Sequence, residues 1–404
     1  MTTVMELSPG KGKFPLVDLT IRGLKVMRFW NEKPAQTFSI FGLLLVVVYP
    51  IVWLIPSWLF IISSQDNLTL LMKAANEQIV FMAIFFKLCS FVINFHRWEQ
   101  LFYDLQRAFT SVMDDQSLDI QGILGHVEKT AHLLTKGYTS VLCFNCALYG
   151  VFPMLFVAVK YAITGSHDVP LSTPIEANYF IPGYRTHFWL WLPLNVMLNV
   201  LLEMHGIALF LIECFTWSLV HATSCLFRVL QIQAHELSNQ NERKDQWYAK
   251  FESFVSLHES VLRSARTLEE ILSFQMLFLY MSTVFALCLM VMVLSLAFND
   301  VFLLIAMICV IGYCLFQTFS FSYLGTELIE ESGAVADAIF HSTWYNQSVK
   351  RQKDLCFVLM RAKKPVKLTA GKLFIVTRDS FTEVIKQAYT IFTLMSQFLE
   401  ESAN

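Results

Sequence analysis

Apolar positions along this chain gather into long unbroken runs instead of alternating with polar ones. Seven runs stand out, at residues 38–62, 74–93, 138–161, 188–215, 271–298, 301–321 and 373–398, each long enough for a helix to cross a bilayer, which takes about 20 residues. Between the fifth and sixth lie only Asn299 and Asp300, a turn that predicts an antiparallel helix pair. The pattern then changes character between runs. After the second, Phe95, Trp98, Phe102, Leu105 and Phe109 recur at helical spacing, and before the fifth Phe251, Phe254, Val255, His258, Val261, Leu262, Ala265 and Leu268 do the same. Such stripes predict amphipathic helices that continue the spans beyond the membrane and pack together there. The fold class expected is an all-α membrane protein with seven transmembrane helices.

Composition agrees, with 55% hydrophobic and 15% charged residues. A net charge of -2 gives no reason to expect a nucleic-acid partner. The N-terminal segment is polar and basic, without the short apolar core of a cleaved signal peptide. Orientation follows from Lys and Arg, which concentrate in cytoplasmic loops. Six lie before the first run, four between the second and third, six between the fourth and fifth and eight between the sixth and seventh, whereas the opposite side carries Lys73, Lys160 and Arg185. The N-terminus is therefore expected inside and the C-terminus outside. On that topology the sequon at Asn67 is open to glycosylation and the one at Asn346 is not. Trp53, Trp58, Trp189 and Trp191 suit an outer aromatic belt. All nine cysteines fall in spans or on the cytosolic side, so no disulfide is expected. Cys143 and Cys146 read as helix packing, not as a metal site, and no metal or other cofactor is expected.

Ionisable residues at membrane depth suggest function by default. Lys87, in the middle of the second span, reads as structural. Glu203 and His205, late in the fourth, read as easing that helix into the cytosolic bundle and not as ligand contacts. The seventh span carries Arg378, Asp379, Glu383, Lys386 and Gln387, too polar for lipid on every side. Its stripe Gln387, Thr390, Leu394 and Gln397 or Phe398 runs from polar to apolar. That suits a pore-lining helix with a hydrophobic gate in an oligomer, and equally a helix buried inside a seven-helix monomer. The outer halves of spans two, three, four and six offer Phe81, Ile84 and Phe85, then Gly150, Phe152 and Met154, then Asn195 and Asn199, then Met307 and Val310. Such a lining fits a small volatile, mostly apolar ligand held by shape and a few polar contacts, although for any single one of these residues ordinary helix packing is the better explanation.

Two blocks near the C-terminus carry a family resemblance. The first holds Gly325, Leu328, Ser332, Val335, Ala338, Phe340 and Trp344; the second holds Arg361, Lys364, Pro365, Leu368, Thr369, Ala370, Gly371 and Lys372, followed by Phe381 and AYTIFTLM from Ala388. Their order and spacing resemble the signature of insect odorant receptors, with Phe340 where that family usually has Tyr. The resemblance implies an odorant-gated, non-selective cation channel, a heterotetramer with the family's co-receptor subunit in the plasma membrane of olfactory neurons. It implies a pore lined by the last helix, with the gate at Leu394 and Gln397 and Phe398 at the outer mouth. It implies an odorant pocket among spans two, three, four and six, and a cytosolic anchor to which Gly325, Leu328, Ser332, Val335, Ile339 and Trp344 contribute. The polar stretch after Gly325 is then the cytosolic first half of the final helical unit. The expected divisions are a cytoplasmic segment 1–37, six spans and their extensions 38–321, an anchor helix and basic loop 322–372, a pore helix 373–398 and an extracellular tail 399–404. A gustatory-type receptor channel of the same topology is the alternative; the charge bias disfavours a G-protein-coupled receptor, and no enzyme motif is present.

Overall fold

The computed structural model describes residues 18–27, 29–30, 40–64, 68–113, 118–164, 171, 173–237, 244–296 and 301–403. Twelve α-helices occur among the described residues. The first span is α2 (Ile40–Tyr49) and α3 (Ile55–Ser63), joined through a π-helical turn at Pro50–Leu54. Proline cannot donate to the helical ladder, and widening to the π form absorbs that defect. The second span is α4 (Leu68–Ile93), continued after a break at Asn94 by α5 (Phe95–Met113). The third is α6 (Leu118–Cys146) and α7 (Phe152–Thr164), joined by a second π-helical turn at Ala147–Val151. Then follow α8 (Phe188–Glu236), α9 (Lys244–Leu296) and α10 (Val301–His341). The short α1 (Asp18–Val26) packs on α8.

Six of the seven predicted spans coincide with helices long and apolar enough to cross a membrane. The seventh, α12 (Arg378–Ala403), is long enough but carries four charged residues in its first nine positions. The turns proposed at Asn299 and Asp300 and the sequon at Asn67 lie outside the described residues.

Helices α8, α9 and α10 run for 49, 53 and 41 residues. At about 1.5 Å per residue each is far longer than the roughly 30 Å hydrocarbon core, so all three project past it. Their projecting parts, with α5 and α11 (Val349–Ala362), form a second helical bundle whose core includes Trp98, Trp217, Trp247, Phe254, Leu328 and Val335. The amphipathic stripes seen in the sequence are the faces buried there. Helix α10 also buries an ionic cluster: Glu327 bonds both His221 and Arg228 at 2.9 Å, and Arg228 reaches Glu331 at 2.8 Å.

Two boundaries differ from expectation. The polar stretch from Gly325 is not the start of the final helical unit. It continues α10 without a break to His341, because nothing in it interrupts the ladder. The last helix begins at Arg378, not at residue 373. Ahead of it β1 (Thr369–Ala370) pairs antiparallel with β2 (Phe374–Ile375). The turn between them holds Gly371 and Lys372, both at φ 59°, a left-handed conformation that glycine adopts without strain. Thr377 and Ser380 then exchange hydrogen bonds between each side chain and the other's backbone N–H, at 3.3 and 2.9 Å, which starts α12 in the manner of a capping box.

Candidate functional site

Residues Asn76, Glu77, Val80, Phe81 and Ile84 follow one face of α4 at helical spacing and form one wall of a partly open cavity of about 130 Å³. Tyr49 closes it from α2, Leu142 and Asn145 from α6, and Tyr149 from the second π-helical turn. Leu202, His205, Gly206 and Leu209 of α8 and Val310 and Tyr313 of α10 complete it. Four of the contributing helices thus belong to predicted spans two, three, four and six. Both π-helical turns border the site, since Tyr49 immediately precedes the first. Such turns open the helix locally and recur at functional sites.

The lining is mostly apolar, and most of its polar groups are held by protein partners. Glu77 accepts hydrogen bonds from Tyr149 Oη at 3.1 Å and from the backbone N–H of Glu176 at 2.7 Å. Lys73 bonds Glu176 at 2.9 Å. The segment carrying Glu176 is also tied down by Asn178 N–H to the Pro56 carbonyl at 2.8 Å, and by Arg185, which donates to the Ala177 carbonyl at 2.8 Å and stacks over Phe60. Residues 173–187 therefore form a roof over the end of the bundle next to the cavity. On the far side, Tyr313 Oη lies 3.1 Å from Tyr138 Oη and accepts from Gln317 at 3.3 Å. Gln317 also donates to Glu213, which pairs with Lys87 at 2.7 Å. Among the described residues no cluster of His, Cys, Asp and Glu could hold a metal ion.

Of the ten pocket residues expected from the sequence, Phe81, Ile84 and Val310 line the cavity. Phe85 does not; its ring stacks on Tyr49 at 5.7 Å. Gly150, Asn195, Asn199 and Met154 pack against one another nearer the roof: Asn199 donates to Asn195 Oδ1 at 2.8 Å and approaches Met154 Sδ at 3.6 Å. Met307 is buried one turn from Val310 in a methionine-rich cluster. Phe152 is 56% exposed on the monomer surface. Asn195 and Asn199 lie about one to two helical turns from Leu202, the nearest lining residue of α8, toward the end of the bundle. The reason is the roof, since Leu171, Val157 and Trp191, with Met154 and Phe188, fill that space. His205, expected to steer α8 toward the second bundle, instead stands in the cavity wall. Its ring nitrogens lie 2.7 Å from the Leu201 carbonyl and 3.3 Å from the Leu45 carbonyl. Periodicity could not single out Tyr49, Asn76, Glu77, Tyr149 and Tyr313. The signal available was a polar Asn-Glu-Gln triplet at 76–78 inside an apolar helix.

Helix α12 has two distinct faces. Val384 and Ala388 are buried, and Phe392 and Met395 pack into the cluster that contains Met307 and Val310. The stripe Gln387, Thr390, Leu394 and Gln397 lies on the opposite, exposed face. The side chain of Phe398 lies outside the described residues. In the second bundle Leu328, Val335 and Ile339 are buried, and Trp344 packs against them. Ser332 Oγ accepts the backbone N–H of Val366 at 2.9 Å. A Cβ on Gly325 would fall 2.4 Å from the Val376 carbonyl oxygen, so that glycine lets α10 touch the backbone leading into α12.

Comparison with known proteins adds a second line of argument. The model of the 7tm Odorant receptor family matches residues 67–389. Odorant receptor Or2 of Anopheles gambiae is 20% identical over 388 residues, 94% of this chain and 97% of that protein. The Odorant receptor coreceptor of Drosophila melanogaster is 32% identical over 87 residues, 22% of this chain and 18% of its own. Among solved structures, the olfactory receptor OR5 of Machilis hrabei in complex with eugenol superposes with a TM-score of 0.76 at 15% identity, covering 95% of this chain and 98% of that one.

Proposed function

Because this chain belongs to the 7tm odorant receptor family of insects, we propose that it is the odorant-binding subunit of a ligand-gated, non-selective cation channel. The cavity bounded by α4, α6, α8 and α10 is its odorant pocket, and the subunit assembles with the co-receptor as a heterotetramer in the plasma membrane of olfactory neurons. The observation that carries this reading is the pairing of an apolar cavity between α4, α6, α8 and α10 with a last helix whose polar-to-apolar stripe faces away from its own monomer. A helix serving only the monomer's core would bury that stripe. A helix lining a shared axis would expose it until other subunits complete the ring.

In this reading the N-terminus and the second helical bundle are cytosolic. Gly325, Leu328, Ser332, Val335, Ile339 and Trp344 belong to the anchor. Leu394 narrows the pore, with Gln387 and Thr390 below it and Gln397 and Phe398 toward the outer mouth. The pocket reaches the gate helix through one packed cluster, since Val310 lines the cavity and shares that cluster with Phe392 and Met395. An odorant gates the channel by binding the arrangement with α12 withdrawn from the axis better than the closed one. The test is current recording from cells expressing this chain with the co-receptor and without it, challenged with aromatics, terpenes, esters and heterocycles. Ligand-evoked cation current that requires both subunits is expected. Silence across all classes despite surface expression overturns the reading.

A further inference from the structure

Two side chains of the cavity carry polar atoms with no hydrogen-bond partner in the protein. Asn76 is 1% exposed, and both its amide nitrogen and its amide oxygen lack a hydrogen-bond partner; Tyr49, also 1% exposed, has an unpartnered hydroxyl. The other polar groups around them are engaged: Glu77 with Tyr149 and Glu176, Tyr313 with Tyr138, and His205 with backbone carbonyls. A buried amide left unpaired is unfavourable, and such groups are normally satisfied by something. Both residues line the same apolar cavity.

Resting on the pocket assignment above, we infer that Asn76 and Tyr49 form the polar end of the odorant site and select compact, ring-sized ligands that carry a hydroxyl group. Size follows from the volume, because the cavity of about 130 Å³ is close to the roughly 150 Å³ apolar cavity that accommodates one benzene ring. The flat walls supplied by Phe81, Tyr149 and Tyr313 suit a ring. The hydroxyl follows from complementarity. Asn76 offers a donor and an acceptor, Tyr49 offers either, and a hydroxyl can accept from one while donating to the other. A hydrocarbon of the same shape would leave all three atoms unpaired and is rejected for that reason.

The experiment compares dose–response curves for isosteric pairs, 4-methylphenol against 1,4-dimethylbenzene and benzyl alcohol against ethylbenzene, on the full-length chain co-expressed with the co-receptor. The hydroxyl member of each pair is expected to be about tenfold or more the more potent. Asn76→Leu, close in shape, should close that gap, with surface labelling of the variant reporting its folding. Tyr49→Phe should narrow the gap partway and serves as the second variant if Asn76→Leu fails to reach the surface. Equal potency within the wild-type pairs, or a gap that neither variant moves, overturns the inference while leaving the receptor assignment standing. Silence to every odorant class, not to these four compounds alone, overturns both.

Discussion

Lys87 and Glu213 pair at 2.7 Å with their side chains 4% and 1% exposed, joining α4 to α8 within the apolar part of the bundle. Removing one member of a buried pair strands the other charge, at a cost of about 3–5 kcal/mol, whereas replacing both with apolar residues of similar volume is often neutral. Lys87→Met is therefore expected to lose most surface expression, and Lys87→Met with Glu213→Leu to recover it. Quantitative surface labelling of the two variants decides the matter; a double variant as poor as the single one would contradict the pairing.

The roof rests on unequal contacts. Glu77 accepts from Tyr149 and from the backbone of Glu176 and is 3% exposed. Its replacement in Glu77→Ala strands two donors, at about 1–3 kcal/mol each. Lys73 pairs with Glu176 at 2.9 Å and lies 3.9 Å from Glu77, but its side chain is 21% exposed and remains within reach of water. Glu77→Ala should accordingly raise the half-maximal odorant concentration at least about tenfold and speed proteolysis of residues 173–187 in the purified protein. Lys73→Ala should change both only slightly. Equal effects from the two substitutions would show that Glu77 does not hold the roof.

Close backbone approach at Gly325 gives a third expectation. A methyl there meets the Val376 carbonyl at 2.4 Å and Val376 Cγ1 at 3.1 Å, neither of which can swing aside as a flexible side chain would. Overpacking of this kind costs about 1–3 kcal/mol. Gly325→Ala should lower the thermal unfolding midpoint by several degrees and reduce surface expression, whereas Phe340→Tyr, at a position 58% exposed, should leave both unchanged.

Sequence pattern reached the architecture more surely than the pocket, for physical reasons that particular residues make plain. Spans are written in composition, so α2 to α4 and α6 to α10 overlap the first six apolar runs. The stripes from Phe95 and Phe251 declared the second bundle because burial of one helix face imposes a period. The hairpin at Thr369–Ile375 had no such signature; it depends on two consecutive left-handed residues, of which only Gly371 announces itself. The depth of the cavity depends on a loop, residues 173–187, whose fold the helical spacing does not record. Nothing in the spacing of Asn195 or Asn199 says that Leu171 and Trp191 occupy the space above them. Asn76 and Tyr49 were legible as polar residues in apolar helices, but only their missing partners, a three-dimensional fact, distinguish them from Asn145, whose amide donates to the Val141 carbonyl at 3.0 Å.

Topology has its own test. On the proposed orientation, with the N-terminus inside, Asn67 would meet the glycosylation machinery and Asn346, in the short helical turn Trp344–Asn346, would not. Asn67→Gln should therefore remove the mobility shift that endoglycosidase produces, and Asn346→Gln should have no effect on it. A shift abolished by Asn346→Gln instead would reverse the orientation of every span.

The two faces of α12 predict opposite phenotypes for residues two apart. Leu394 is 50% exposed and points away from the monomer, whereas Phe392 packs into the cluster shared with Val310. An apolar constriction blocks ions by excluding water, so Leu394→Ser should raise the basal current of the assembled channel several-fold with little change in odorant potency. Phe392→Ala removes packing behind the helix, where on the proposed mechanism ligand occupancy of the pocket is transmitted, so it should depress the maximal odorant response while the basal current stays low. Coupling free energies of this kind are typically about 1–3 kcal/mol, enough to shift responses by an order of magnitude. Whole-cell recording of basal and evoked currents, normalised to surface protein, separates the two. Matching effects from both substitutions would mean that α12 acts as a single packed element and that Leu394 is not the gate.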